Sequence, residues 1–294
     1  MKKINFLSAL LMMLLAVPTS SFSQETKVSD SGFAAAKEQS YALAGLAFTS
    51  DIVFLGRKSP VKSPYISASG GYYHKSGLFI NGIVSYLAAS QQNRIDLFTA
   101  TGGYDYYKND FTAGVSATGF VFNNKSYSVK SALTASLNTY AGYDFDILEV
   151  YTDATMYFSS QSDFIFSVAI SHNFYIADIN LKISPTLSLY GGTQNYYANY
   201  NNNMQFGQHM LNDDGSNSTG IGMMDNNIFN IQNYEFSVPV KYAHKHFQFV
   251  FLPVYALPVN AATITNDQTA YKEDLNNTLF WSLGVYYKIL KPKK

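Results

Sequence analysis

From about residue 41 to residue 289 the chain alternates apolar and polar side chains with a period of two, interrupted at intervals by polar stretches. That period belongs to a strand with one face against an apolar surrounding and the other against water or polar groups. Twelve segments carry it, near residues 41–55, 64–74, 77–88, 94–107, 111–122, 130–143, 147–158, 163–174, 178–191, 231–243, 246–258 and 277–289. In the ninth, Ile179, Leu181, Ile183, Leu187 and Leu189 share one face, and Asn180, Lys182, Ser184, Thr186 and Ser188 share the other. The sixth sets Leu133, Ala135 and Leu137 against Thr134, Ser136 and Asn138. Each segment is long enough for a tilted strand to cross a bilayer, which takes about 9 to 11 residues.

The connections sort into two kinds that alternate strictly. Lys75-Ser76, Lys108-Asn109-Asp110, Asp144-Phe145-Asp146, Tyr175-Ile176-Ala177 and His244-Lys245 are tight and read as hairpin turns. The stretches 56–63, 89–93, 123–129, 159–162, 192–230 and 259–276 are longer. A sandwich has no reason to sort its loops by end, whereas a transmembrane barrel does. The expected fold is therefore all-β: an up-and-down antiparallel transmembrane β-barrel of about twelve strands, with short periplasmic turns and longer extracellular loops. The stretch 192–230 exceeds the about 15 residues beyond which a connection is usually functional or disordered; its asparagines favour disorder, while Tyr196, Tyr197, Tyr200 and Met204 favour a task, either folding into the mouth or binding something outside.

One segment departs from the pattern. In FSVPVKYAHKHFQFVFLPVYALPV, residues 236–259, alternation fails after His246. Phe247, Phe249, Phe251, Pro253 and Tyr255 then share one face, and Val250, Leu252, Val254 and Ala256 the other. Either something apolar covers the inner face, for which the segment 29–39 with Phe33 and its alanines is one candidate, or the wall opens there. Pro185, Pro239 and Pro253 fall on three consecutive strands, and proline supplies no N–H to a ladder, so the three are candidates for a lateral gate toward the bilayer.

Composition changes the picture in three ways. Aromatic residues make up 16% of the chain and charged ones 14%, and Tyr104, Tyr106, Tyr157, Tyr190, Tyr242 and Tyr287 near strand ends suit the girdles of a membrane barrel. Twenty basic and 20 acidic residues balance, and the basic ones are scattered, which implies no nucleic-acid partner. Cysteine is absent, excluding disulfides, thiolate metal sites and a lipoprotein anchor. Lys2 and Lys3, the apolar run Phe6–Val17 and Ser21-Phe22-Ser23 form a secretory signal over residues 1–23. The remainder divides into a periplasmic segment 24–40 that can hold a short helix or plug, a barrel over 41–289 and a tail over 290–294.

Near the C-terminus, Ser282-Leu283-Gly284-Val285-Tyr286-Tyr287-Lys288-Ile289 resembles the terminal assembly signal of bacterial outer-membrane barrels, although the chain continues for Leu290-Lys291-Pro292-Lys293-Lys294. The resemblance implies the bacterial outer membrane as location, its lipid as surrounding and the barrel-assembly machinery as a partner during biogenesis.

The candidate site is the inward surface. Glu149, Asp153, Lys182, Glu235 and Lys241, with Tyr151 and Tyr157, fall on the inferred lumen faces, where they either line a mixed-charge channel or fill the interior, Lys182 pairing with Glu235. Catalysis finds little footing. The outer-membrane phospholipases, also twelve-stranded, use a His and a Ser two apart on one strand face, while Ser171 and His172 here point to opposite faces. Asp213-Asp214 near His209 resembles the acidic pairs of the omptin proteases, which are smaller barrels. Asn212–Asn217 has calcium-loop ingredients without a closing glutamate, and His244 with His246 lacks a third ligand. No catalytic, cofactor or metal residue is assigned. The expected function is a channel or transporter for small solutes; the alternatives are a non-enzymatic binding or structural barrel acting through its outer loops, a lateral-gate transporter for hydrophobic or amphipathic molecules, and, last, a barrel hydrolase.

Overall fold

The computed structural model describes residues 39–59, 61–89, 93–197, 222–224, 228–265 and 270–290. Readings that concern the signal, the segment 24–38, His209, Asn212–Asn217 and residues 291–294 lie outside them. The wall has twelve strands: β1 (Tyr41–Thr49), β2 (Tyr65–Tyr73), β3 (Leu78–Leu87), β4 (Arg94–Lys108), β5 (Phe111–Phe122), β6 (Ala135–Asp144), β7 (Glu149–Phe158), β8 (Asp163–Ser171, resumed at Phe174–Ile176), β9 (Leu181–Ile183 and Thr186–Gly192), β10 (Asn230–Ser237 and Val240–His244), β11 (Phe247–Pro258) and β12 (Thr278–Leu290). Each pairs antiparallel with the next, and β12 pairs with β1 from Tyr41↔Leu290 to Thr49↔Ser282, so the sheet closes with no free edge.

The period-two pattern maps onto the wall as expected. Leu46, Ile80, Val121, Leu187 and Leu279 are each more than half exposed on the outside, while their neighbours in sequence turn inward. A belt of this kind around a closed wall is tolerable only against lipid. Five tight turns close one end, and four of them carry a non-glycine residue with positive φ: Asn109, Asp146, Asn180 and Lys245. Asn and Asp adopt that conformation at low cost, which is why the turns at Asn109 and Asp146 were visible in the sequence. The turn after β8 falls later than expected, at the 3-10 stretch Ala177–Ile179 and Asn180.

Two bulges interrupt the ladders, both at the long-loop end. The β3–β4 register shifts between Ser85 and Tyr86, and the β9–β10 register shifts between Tyr190 and Gly191. Each inserts one residue, Asp96 and Gln232, so that Asp96 and Leu97, then Gln232 and Asn233, turn inward as consecutive pairs. A bulge re-aims a side chain in just this way.

The prolines do not sit at bulges. Register runs through them unchanged, with Ile183↔Val240 and Thr186↔Ser237 on one seam and Ser237↔Val254 and Val240↔Phe251 on the next. Each proline carbonyl still accepts a cross-strand N–H: His172 donates to Pro185 at 3.2 Å, Ser184 to Pro239 at 2.9 Å and Val238 to Pro253 at 3.2 Å. What is missing is the return bond of each pair, because proline has no donor. The Ser184 carbonyl left over opposite Pro239 accepts the Thr186 hydroxyl at 2.9 Å instead. The three prolines thus form a row across three seams, one lost bond per seam, rather than a slit along one.

Candidate functional site in the barrel lumen

The first strand ends at Thr49, six residues before the sequence pattern suggests. Ile52, Val53, Phe54 and Leu55 are four apolar residues in a row, and no strand with one polar face can place them all. They fold inward as a small hairpin, Val53–Phe54 against Arg57–Lys58, turning at Leu55 and Gly56, both with positive φ. Gly56 is required twice over: its φ is +75°, and a Cβ there would fall 2.7 Å from both the Asn233 Oδ1 and the Pro258 Cβ.

The contacts of the hairpin fix its position. Phe54 and Leu55 pack with Leu97, Phe120, Tyr157, Ile165 and Tyr190, from five strands between β4 and β9. Val53 packs with Leu252, Val254, Ala256 and Phe280 of β11 and β12, and Ile52 with Tyr65 and Leu87 of β2 and β3. One hairpin reaches the inner faces of strands all around the wall only by lying across the lumen. This also answers why β11 is apolar inside: Val53 and Phe280 cover its outer half, and Val250 packs against the Tyr41, Tyr73 and Tyr286 group lower down.

Carboxylates fasten the outer loops to this arrangement. Asp51 accepts the N–H groups of Ile52 and Ser63 at 2.9 and 3.0 Å, closing the base of the first loop. Asp96 accepts Arg94 Nε at 2.8 Å and the hydroxyls of Tyr65 and Ser126, tying the loop 123–134 to the wall. From that loop Val129 and Leu133 enter the hairpin's cluster, and the Lys130 ammonium lies 4.9 to 5.5 Å from the ring centres of Phe54, Phe120 and Tyr157. Asp163 accepts the N–H groups of Asn195 and Tyr196, both at 2.6 Å, and the Thr193 hydroxyl at 2.7 Å.

The fourth fastening joins the first and last outer loops. Arg57 Nε donates to both Glu273 oxygens, at 3.1 and 3.2 Å, and Nη2 donates to the Asn260 carbonyl at 3.2 Å. The side chains are only 2% and 7% exposed, and the guanidinium lies over the Tyr197 ring at 5.6 Å. Burial alone would push Arg57 down, but Tyr196 and Glu273 outweigh it and hold the group above its ordinary value. It stays charged, and Glu273 is its counter-ion.

The periplasmic half is built differently. Inward glycines lie beneath inward aromatic rings: a Cβ at Gly114 would fall within the Tyr140 ring, one at Gly45 within the Tyr286 ring, and one at Gly142 would crowd Tyr151. Tyr140 stacks on Tyr151 at 5.4 Å, Tyr41 on Tyr73 at 5.0 Å, and the Tyr140 hydroxyl donates to Asp105.

All seven candidate lumen residues do face inward and are buried, but they fall at different heights. Tyr157 joins the hairpin's cluster near the outer mouth, and with Tyr190 it leaves the girdle, which keeps Tyr104, Tyr106, Tyr242 and Tyr287 on the outside. Asp153 accepts the Asn138 amide and the Thr155 hydroxyl at 3.1 Å. Glu235 accepts the Asn233 amide at 2.7 Å. Lys182 does not pair with Glu235: it stands opposite Lys241 and Tyr175, while Glu235 stands opposite Ser188, six residues or about 20 Å further along β9. Glu149 instead accepts Ser171 Oγ and Asn173 Nδ2, each at 3.4 Å. His172 lies outside against Phe174, away from Ser171, and His244 and His246 rest on Tyr242 and Tyr287. Leu133, placed with the outward face of β6 by its parity, precedes the strand and is buried inside.

The closed wall and its apolar exterior decide the class. This is a transmembrane β-barrel. Solved structures similar to it are themselves outer-membrane barrels: a KdgM porin at 10% identity, covering 83% of this chain and 98% of that one with a TM-score of 0.46; a NanC porin at 9%, covering 85% and 99%, TM-score 0.43; and LpxR from Salmonella typhimurium at 7%, covering 84% and 99%, TM-score 0.44. No family model matches the sequence, and no curated protein matches it.

Proposed function

We propose that this protein is an outer-membrane transport barrel for small solutes, held shut at its outer mouth by its own first outer loop. The observation that carries the reading is the Phe54–Leu55 hairpin lying across the lumen above an inner surface of mixed charge. A sealed structural barrel gains nothing from Glu149, Asp153, Lys182, Glu235 and Lys241 inside, since each buried charge carries a desolvation cost. In a passage that admits water when the loop lifts, the same residues are ordinary lining. The hairpin is also built as a separable part: it makes two ladder pairs of its own, Val53↔Lys58 and Phe54↔Arg57, and takes no place in the wall.

Planar-bilayer recording tests this. The wild type is expected to conduct in rare, small steps, and a variant with residues 52–58 replaced by a glycine–serine linker of equal length is expected to conduct steadily and several-fold more. Two electrically silent proteins, both folded by their unboiled gel mobility, would overturn it in favour of a binding or structural barrel.

A further inference from the structure

The lower lumen contains an ammonium without an acceptor. Lys182 is 3% exposed, faces inward two residues beyond the Asn180 turn, and its Nζ has no hydrogen-bond partner. Its cross-strand neighbours are Tyr175, whose ring lies 5.0 Å from the ammonium, and Lys241, a second inward lysine at 7% exposure. Glu149 and Asp144 are the acids whose charge reaches Lys182, yet neither is within 4.0 Å of it, and Glu149 is taken up with Ser171 and Asn173. Ser184, the next inward residue on β9, donates its hydroxyl to Asn173 Oδ1 at 2.9 Å.

Two like charges placed directly opposite each other on neighbouring strands repel, and a buried ammonium with no acceptor is costly. A ring face offsets only part of that. An oxyanion set between the two lysines gives the Lys182 ammonium a charge-assisted hydrogen bond and offsets the repulsion between the pair. We propose that Lys182 and Lys241 form an oxyanion-binding site near the periplasmic mouth, one that takes a carboxylate or phosphate group of a small solute. The site rests on the transport reading for its purpose, and its existence is tested apart from it. In transport it would favour anionic solutes and pass them to or from the periplasm, below the hairpin and out of its reach.

The experiment is calorimetric titration of the full-length barrel in detergent and phosphate-free buffer, with inorganic phosphate and with acetate as separate probes. Saturable binding of at least one is expected, weakened about tenfold or more in Lys182→Gln and in Lys241→Gln and largely retained in Lys182→Arg, since one charged contact accounts for a factor of that order. Binding of phosphate alone assigns a phosphate site, and binding of both assigns a general carboxylate and phosphate site. Unboiled gel mobility confirms that each variant is folded; should Lys182→Gln fail to fold, Lys241→Gln and Lys182→Arg still decide. Absence of binding by the folded wild type, or unchanged binding in the Gln variants, overturns the site. A silent barrel that binds phosphate would remove the transport reading alone, and a conducting barrel that binds neither probe would remove the site alone.

Discussion

The two ends of the lumen are built from the same strands but stabilised by opposite means. At the outer end, loops are pulled inward by carboxylates, and Arg57, Lys58 and Arg94 each have an acid within 4.0 Å. At the periplasmic end no loop enters among the described residues; aromatic rings occupy the space left by inward glycines, and Lys182 is left without an acceptor. The difference shows where a barrel can tolerate mobility. A loop that takes no ladder place in the wall, and is held there by side-chain contacts and a few ion pairs, can leave and return without breaking the sheet, whereas rings lodged against backbone glycines are part of the wall's own packing.

The largest effect expected follows from breaking the outer fastening. Arg57→Ala leaves Glu273 buried and without its counter-ion, a change that costs about 3–5 kcal/mol where both partners are buried. Because that cost is relieved when the hairpin leaves, conductance should rise while the temperature at which the barrel loses its unboiled mobility barely changes. A large drop in that temperature with no gain in conductance would show that the hairpin is structural.

A middle-sized effect is expected at the other end. Gly114→Ala forces the Tyr140 ring off the wall, and overpacking of this kind costs about 1–3 kcal/mol. Gly119, on the same strand, faces outward with nothing within 4 Å of the place a methyl would take, so Gly119→Ala should leave stability unchanged or slightly improved. Urea titration in micelles compares the two; equal values would mean that the rings do not rest on their glycines.

The smallest effect lies at the proline row that separates the regions. Pro239→Val restores a donor facing the Ser184 carbonyl and should add up to about 1 kcal/mol, the usual net worth of a hydrogen bond. Its readout is amide exchange at residues 240–244, slowed in the variant. Exchange left as fast as before would mean that the Thr186 hydroxyl already makes good the loss.

The wall was legible because strand period and turn residues are local signals. Alternation located all twelve strands, and Asn109 and Asp146 marked turns by residue type. The hairpin had a local signal too, the four consecutive apolar residues Ile52–Leu55, of the same kind as the failed alternation in β11 that they help to cover. Parity held the correction for Tyr190, which shares the polar face of Ser188 and is buried with it. What could not be read were partners brought together by closure: Arg57 and Glu273 are 216 residues apart, and Asp96 and Gln232 point inward only because a bulge adds one residue to a ladder. The supposed Lys182–Glu235 pair failed for the same reason, since neighbouring strands do not imply neighbouring rows.

The central claim is that the first outer loop lies inside the barrel, and the absence of native cysteine allows it to be measured directly. Leu55→Cys and Val61→Cys place single thiols at the hairpin turn, 1% exposed, and at the loop rim, 42% exposed. On intact cells treated with a membrane-impermeant maleimide, the account predicts rapid labelling at position 61 and protection at position 55, with the protection lost when Arg57→Ala is added. Equal labelling of the two single-cysteine proteins would place the loop outside the lumen and contradict the account.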